Sequence, residues 1–499
     1  MKRFLTLLFT TLLLTAALCV TASASDYDAV AEDLSAIGMF RGTANGFELD
    51  RAPTRSEAAI MLVRLYGAEE NAKTAYAAGE ISHPFTDVSE FTSPYVAWLY
   101  TNGITNGFTE TTFASQRPCT AQNYTVFLLR ALGYKDGTDF QYAEAFNFAM
   151  TKGMFDTSFL GGTFLRDDLA AVTYQALACK LADGSTYLLD SLVKSGAIDK
   201  TAAKPITDKI ETYQKLASTS METMKDSLDA DIAMKMNMDM KMAGTAEGQS
   251  MDMNAAVAMD AKGNIQMILN KDLKMGLKLD MNMDMKMKDV DGTEMTLTQP
   301  MSMGMWIKDG WLYMQQDESC YKMELGEDMN EFLTVYQEIM AQVGEMSDMS
   351  VAMMMPYLDE ISATKNGSNT IYTLTVNEDA FMGMMNDVMD MVFAELGGDL
   401  SLGLDMDLTD CTYTYTVNSR GQLKNVTAAA KLNMKLDMSE GQETAVMTMG
   451  IDMNMEMKVN ATGSSVKVSY PDLTKFPDIA SIAESAPESS VGTNPVTSL

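Results

Sequence analysis

Residues 273–287 read LKMGLKLDMNMDMKM, and their parity decides the fold of the second half of the chain. The odd positions hold Leu273, Met275, Leu277, Leu279, Met281, Met283, Met285 and Met287. The even positions hold Lys274, Gly276, Lys278, Asp280, Asn282, Asp284 and Lys286. Successive side chains of a strand point to opposite faces, so a period of two gives one apolar and one solvated face. The same lettering recurs at 234–242 (MKMNMDMKM), 402–408, 430–438 and 447–459. Such segments, joined by turns like Lys308-Asp309-Gly310 and Asn418-Ser419-Arg420-Gly421, predict an antiparallel sheet with one face to bury. Helical periodicity at 328–345, about 347–360 and 378–395 supplies candidates to cover that face. The expectation for 228–475 is therefore an α+β domain, a large curved antiparallel sheet wrapped over helices.

The chain carries 47 methionines, which raises three readings of this face: a thioether trap for a soft metal, a lipid-contacting surface, or an ordinary strand core. Leucine, isoleucine and valine exchange with methionine along it, and leucine has no donor atom. That exchange argues against the alternative function of an extracellular Met-rich copper-binding protein. Imidazole help is absent too, because His83 is the single histidine. No metal site and no cofactor are predicted.

At 499 residues the chain exceeds one ordinary core, so two or more domains are expected. The formal charge of −31 argues against nucleic acid and anionic membrane surfaces as partners. Residues 1–25 pair a basic start (Lys2, Arg3) with an apolar run and the small-x-small pattern Ala22-Ser23-Ala24, the pattern of a secretory signal peptide. Leu18 before Cys19 does not suit lipoprotein processing. No later run approaches the ~18 apolar residues of a span, so the chain is not expected to cross a membrane. Export permits disulfides. Cys119, Cys179, Cys320 and Cys411 lie two in each half, and one bridge per half or free thiols both fit; no pair has zinc spacing.

Residues 26–200 contain three related helical units, about 26–80, 81–136 and 137–200. Each runs as an amphipathic helix, a Gly-centred loop, a phenylalanine before a polar break, and a second amphipathic helix. In the first, Thr54 is placed to cap a helix with Glu57 three residues on, and Ala58, Met61, Leu62 and Leu65 share one face. A helical linker follows at 201–227, and the Pro/Ser/Gly-rich tail 476–499 reads as disordered.

The pattern Phe85-Thr86-Asp87-Val88, an aromatic-rich helix, a Gly-Ile turn and PTRSEAAIMLVRLYG (53–67) resembles the S-layer homology module, here three in tandem. The resemblance implies an all-α helical prism whose grooves bind secondary cell-wall polysaccharide, often pyruvylated. It implies polymer contact at Arg55 and Glu57 of the T-R-S-E motif, at Arg166 (with Asp168 at the acidic position), and at Asp87 and Trp98 of the second unit's start. A guanidinium fork suits a ketal carboxylate. In the second unit Thr120 reads as the replacement for the arginine. The hairpin MWIKDGWLYMQ (305–315) and the sheet are similar to the half-barrel of lipoprotein carriers, which implies a lipid or other apolar ligand; a filled core fits as well. His83 has no Ser or Cys elbow beside it, and no catalytic residues are predicted. The tail shows no sorting motif, so covalent wall attachment is not expected. The reading is a non-enzymatic, secreted wall-anchored protein displaying a β-rich domain.

Overall fold

A computed structural model describes residues 27–154, 163–246, 249–269, 273–288, 293–325, 343–378, 380, 403–437 and 444–479. The leader 1–25, most of the expected helices at 328–345 and 378–395, and the tail beyond 479 lie outside them. The chain forms two compact units, neither continuous: Met1–Thr219 with Val343–Thr414 and Ala430–Met438, and Ser220–Gln342 with Tyr415–Ala429 and Ser439–Leu499.

The first unit is built on helices α1 (Asp28–Ala36), α2 (Arg55–Leu65), α3 (Glu69–Ala77), α4 (Ser93–Thr101), α5 (Ala121–Ala131), α6 (Ala145–Met150), α7 (Arg166–Leu177) and α8 (Leu188–Lys194). A longer helix, α9 (Lys200–Met224), follows. The expected cap of α2 is present. The Glu57 N–H donates to Thr54 Oγ1 at 3.2 Å, and the Thr54 N–H donates to Glu57 Oε2 at 2.7 Å. Ala58, Met61, Leu62 and Leu65 are all buried. Helix α7 is buried on nearly every side, as a helix without a polar face must be.

One neighbour of α7 comes from far along the chain. Helix α10 (Val343–Met354) packs on α7, and Val351 and Ala352 are fully buried in a core that holds Leu169, Val172 and Leu34 together with the strand residues Leu408 and Cys411. Its capture is chemical as well as apolar: Asp348 pairs with Lys180 at 2.7 Å and accepts from the Tyr187 hydroxyl at 3.3 Å. The stretch 355–360, expected as helix, is a 3-10 turn at Met355–Tyr357 that opens a strand at Leu358. Pro356 in that turn offers no N–H to continue the helix.

The strands are β1 (Ser227–Ala246), β2 (Gln249–Ile268), β3 (Lys274–Lys288), β4 (Glu294–Lys308), β5 (Trp311–Gln316), β6 (Ser319–Glu324), β7 (Leu358–Asn366), β8 (Asn369–Val376), β9 (Gly403–Val417), β10 (Leu423–Asp437) and β11 (Thr444–Thr462). They form one sheet in the order β6-β5-β4-β3-β2-β1-β11-β10-β9-β8-β7. Each run of consecutive strands is a meander, and the antiparallel pairing of β1 with β11 joins them. The Asp309-Gly310 hairpin pairs Lys308 with Trp311, both loop residues at positive φ (52° and 78°), as a two-residue primed turn requires.

Register fixes the expected apolar face. Met236 stands opposite Met453 on one side and Met259 on the other, and Met259 stands opposite Met283. The other face is not solvated throughout. Trp306, of even parity, is buried there; a Cβ on Gly304 would lie 2.1 Å from its ring, so only glycine leaves room. Phe476 closes over it edge-on at 5.9 Å, and the Lys322 N–H donates to the Pro477 carbonyl at 2.9 Å. Residues up to 479 thus belong to the folded second unit.

Candidate functional site

Helices α2, α5 and α7 each start after a polar loop, and their first residues define the candidate site. Two of the three starts are wired alike. The Arg55 N–H donates to the Arg117 carbonyl at 2.9 Å and the Ser56 N–H to that of Ser115 at 3.2 Å. The Arg166 N–H donates to the Arg51 carbonyl at 2.8 Å and the Asp167 N–H to that of Leu49 at 3.1 Å. Arg55 Nε then donates to the Phe113 carbonyl at 3.0 Å, and Arg166 Nε to the Phe47 carbonyl at 2.9 Å. The residue after each phenylalanine, Glu48 or Ala114, lies in the left-handed region (φ 51° and 58°). The first unit's helix therefore grips the second unit's loop, and the third unit's helix grips the first unit's loop.

The repeat also corrects an alignment. Thr120 caps α5 as Thr54 caps α2, its Oγ1 accepting from the Asn123 N–H at 3.3 Å. Ala121, not Thr120, therefore stands where Arg55 stands, and Asn123 stands where Glu57 stands. In the third unit Leu165 holds the cap position with no acceptor on its side chain. Only the Asp168 carboxylate serves there, accepting from the Leu165 N–H at 2.6 Å.

The two arginines differ beyond Nε. Arg166 is only 3% exposed. It donates from Nη1 to Glu57 Oε1 at 2.8 Å, and its guanidinium lies 4.7 Å from the Phe40 ring centroid. Burial lowers its pKa against the opposing pull of Glu57. Glu57 is shared further: Arg51 Nη2 donates to Oε1 at 2.7 Å. Burial would raise the Glu57 pKa, but Arg51, the Thr54 N–H and Arg166 together lower it. Glu48 completes the set at 3.4 Å from Arg51. Two arginines and two glutamates thus neutralise each other at this junction.

Arg55 is half-buried, with the Phe113 ring 5.0 Å from its guanidinium carbon. Among the described residues its terminal Nη atoms take no hydrogen bond or ion pair. The residue equivalent to its would-be carboxylate is Asn123, whose Oδ1 accepts from the Tyr142 hydroxyl at 2.9 Å. Ala114 replaces Glu48. Arg117, the counterpart of Arg51, rests over the exposed Phe108 ring at 4.8 Å and forms no ion pair among the described residues. This junction holds two arginines without a bonded carboxylate.

Asp87 braces the same junction. Its carboxylate accepts from the Phe113 N–H at 2.7 Å and the Ser115 N–H at 3.1 Å. Burial raises its pKa and these backbone donors lower it further than that, for a net decrease. Trp98 is not brought there. It packs half-buried against Tyr66, 5.4 Å between centroids, at the far end of α2 from Arg55, about 16 Å away at 1.5 Å per residue. Sequence reasoning missed Glu69, which opens α3. It accepts from the Tyr95 hydroxyl at 2.7 Å, Arg64 Nε at 3.0 Å and Lys73 Nζ at 3.0 Å. His83 Nε2 lies 3.1 Å from Ser93 Oγ, and its Nδ1 accepts from the Phe85 N–H at 3.2 Å. Among the described residues Cys119, Cys179, Cys320 and Cys411 are free thiols.

A family model described as the S-layer homology domain matches residues 84–120, the stretch that runs from Phe85 through Asp87 and Trp98 to the Phe113 loop. The chain is similar to the Middle cell wall protein of Brevibacillus brevis, 31% identical over 114 residues, which are 22% of this chain and 10% of that protein. It is also similar to the Surface layer protein of Brevibacillus choshinensis, 32% identical over 122 residues, 23% of this chain and 11% of that one. The chain thus spans about a tenth of the length of these relatives. The match to the S-layer homology domain thus lies within the helical repeats, and both relatives are named for the cell wall or the surface layer.

Proposed function

We propose that residues 26–200 act as three S-layer homology modules in a helical prism, anchoring the chain non-covalently to secondary cell-wall polysaccharide. Arg55 grips an anionic substituent of the polymer, such as a pyruvate ketal. The observation that carries this reading is the contrast between the two matching arginines. Arg166 spends its guanidinium on Glu57 and two loop carbonyls, while Arg55 keeps both Nη atoms without a partner among the described residues. A guanidinium with a free fork takes a carboxylate in two parallel bonds, a stronger contact than one point charge makes. Arg166, Glu57 and Asp87 hold the loops that wall the grooves, and Trp98 with Tyr66 offers ring surface apart from the charge. No step of chemistry is needed, and the protein is a non-enzymatic surface anchor.

The test is co-sedimentation of the full chain with purified cell walls. Arg55→Ala is expected to reduce the pelleted fraction at least fivefold with the fold intact, and Arg55→Lys to restore part of it. Unchanged pelleting by Arg55→Ala overturns the assignment.

The sheet supports a second part of the reading, a displayed ligand surface for a lipid or other apolar ligand. Burial differs between the two ends of its apolar face. Val459, Ala230 and Ile265 share one buried row, whereas Met253 and Met295 near the other end are 41% and 58% exposed. Half-exposed methionine is suited to contact, being flexible and polarisable.

A further inference from the structure

The junction closed by Glu57 holds, within the protein, the group that the Arg55 junction lacks. There one carboxylate is taken by two arginines from different parts of the repeat. Arg51, in the loop, spans it: Nη2 donates to Glu57 Oε1 at 2.7 Å and Nη1 to Oε2 at 3.1 Å. Arg166, at the helix start, adds a bond from Nη1 to the same Oε1 at 2.8 Å. At the open junction both counterparts are present, Arg117 in the loop and Arg55 at the helix start. The same backbone bond ties them, the Arg55 N–H donating to the Arg117 carbonyl at 2.9 Å as the Arg166 N–H donates to that of Arg51 at 2.8 Å. The acid alone differs. Asn123 stands at its position and accepts from the Tyr142 hydroxyl at 2.9 Å.

We propose that Arg117 is a second polymer-binding residue, closing with Arg55 on one carboxylate of the wall polymer in the place that Glu57 fills at the closed junction. The inference rests on the reading of Arg55 as a polymer contact and deepens it: the group recognised is a single carboxylate shared by two guanidiniums. Arg117 is exposed, forms no ion pair among the described residues and lies 4.8 Å from the centroid of the Phe108 ring. A ring supports a cation through its face without offering an acceptor to its N–H groups. Phe108 is itself 56% exposed, and it stands as far before Phe113 as Gly42 stands before Phe47. The open junction therefore adds apolar ring surface beside the charge, where the closed one has glycine. Ser115 is 3% exposed, and its hydroxyl has no hydrogen-bond partner among the described residues; the closed loop has Leu49 at that position. Buried hydroxyls are normally bonded, so the open loop keeps polar capacity that its own fold leaves unused.

The test is titration of the full chain with purified cell walls, reading the wall concentration that half-saturates binding. Arg117→Ala is expected to raise that concentration about fivefold or more, with a melting temperature within about two degrees of wild type because the side chain is exposed and unpaired. Arg117→Lys is expected to restore only part, an ammonium lacking the planar fork. Since both arginines close on one carboxylate, the double variant with Arg55→Ala is expected to be little weaker than either single one. Ala114→Glu gives Arg117 the acid that Arg51 has in Glu48, at a residue already in the same left-handed region (φ 58° against 51°). It is expected to weaken binding with both arginines kept. Wild-type binding by Arg117→Ala while Arg55→Ala is weakened overturns this proposal and leaves the Arg55 reading standing. Wild-type binding by Arg55→Ala overturns that reading and the shared clamp with it. Losses that multiply in the double variant mean two separate anions and overturn the shared carboxylate. The competitors are the methyl glycoside of a pyruvate-ketal hexose, its methyl ester and inorganic phosphate. The free acid is expected to release the protein from walls at concentrations where the ester and phosphate do not; no release by the acid, or equal release by phosphate, overturns the carboxylate assignment.

Discussion

Replacing Glu69 by glutamine tests whether the first unit is held by a single buried acceptor. Burial alone would raise the Glu69 pKa, but the Tyr95 hydroxyl, Lys73 and Arg64 outweigh it and bring it down from 4.5 to about 2. At about 1.4 kcal/mol per pH unit, that difference is worth about 3 kcal/mol of folding free energy. The side chain is 13% exposed, so solvent screening removes little of it. The folded value lies below the unfolded one. The contribution is therefore whole above about pH 4.5 and drains away as the pH falls towards 2. Glutamine keeps one oxygen for Tyr95 but turns an amide towards Arg64, which is 8% exposed and left without its carboxylate. Site-resolved hydrogen exchange is the suitable assay, because a chain of two units does not report one global unfolding constant. At pH 7, peptides from α3 and α4 in Glu69→Gln are expected to exchange roughly a hundredfold faster, the equivalent of about 3 kcal/mol. The gap between variant and wild type is expected to close as the pH falls from 4.5. Exchange within threefold of wild type at pH 7, or a gap that persists at pH 2.5, refutes the reasoning.

Arg166→Ala is expected to destabilise the first unit by about 3 kcal/mol, since it empties a buried site and strips Glu57 of a partner. Arg55→Ala is expected to cost under about 1 kcal/mol, and a thermal shift of equal size in the two variants refutes the distinction between them. Gly153→Ala is expected to lower the melting temperature by several degrees. Its φ is +73° and a Cβ there would sit 2.5 Å from the Met349 carbonyl oxygen, backbone that has no rotamer to yield; a melting temperature within one degree of wild type contradicts the docking of α10. Phe476→Ala is expected to cost about 3 kcal/mol and shift Trp306 emission to the red as its cover is lost; an unmoved spectrum shows that 470–479 does not cover that ring.

The alternating strands were legible because parity is a local property of the chain, and so was the cap at Thr54 and Glu57. What depended on a distant partner was not. Helix α10 carries an apolar face that suits either a sheet or another helix, and nothing within 343–354 says that Asp348 meets Lys180 and Tyr187. Helix α3 (EENAKTAYA) has a single buried residue, Ala72, so no apolar stripe announced it. It stands on the ion pairs of Glu69. Trp306 sits at a polar-face position whose cover lies beyond residue 465, which no periodicity within β4 could reveal.

The site shows the same limit most sharply, and its lesson concerns counting motifs. Arg55 and Arg166 match one motif, start equivalent helices, and donate from Nε to equivalent carbonyls. Their fates differ because the next unit in the cycle supplies Glu57 to one and Asn123 to the other. The property that separates a structural arginine from one free for a ligand therefore lies neither at the arginine nor within its own repeat. It lies at the third helical position of the neighbouring repeat. That assigns Asn123 a role no motif gives it: an acid there would close the Arg55 junction as Glu57 closes the other. Asn123→Glu is accordingly expected to stabilise the first unit slightly and to abolish wall sedimentation, whereas Asn123→Ala leaves sedimentation intact. If Asn123→Glu pellets with walls as well as wild type does, the unpaired fork of Arg55 is not what holds the polymer.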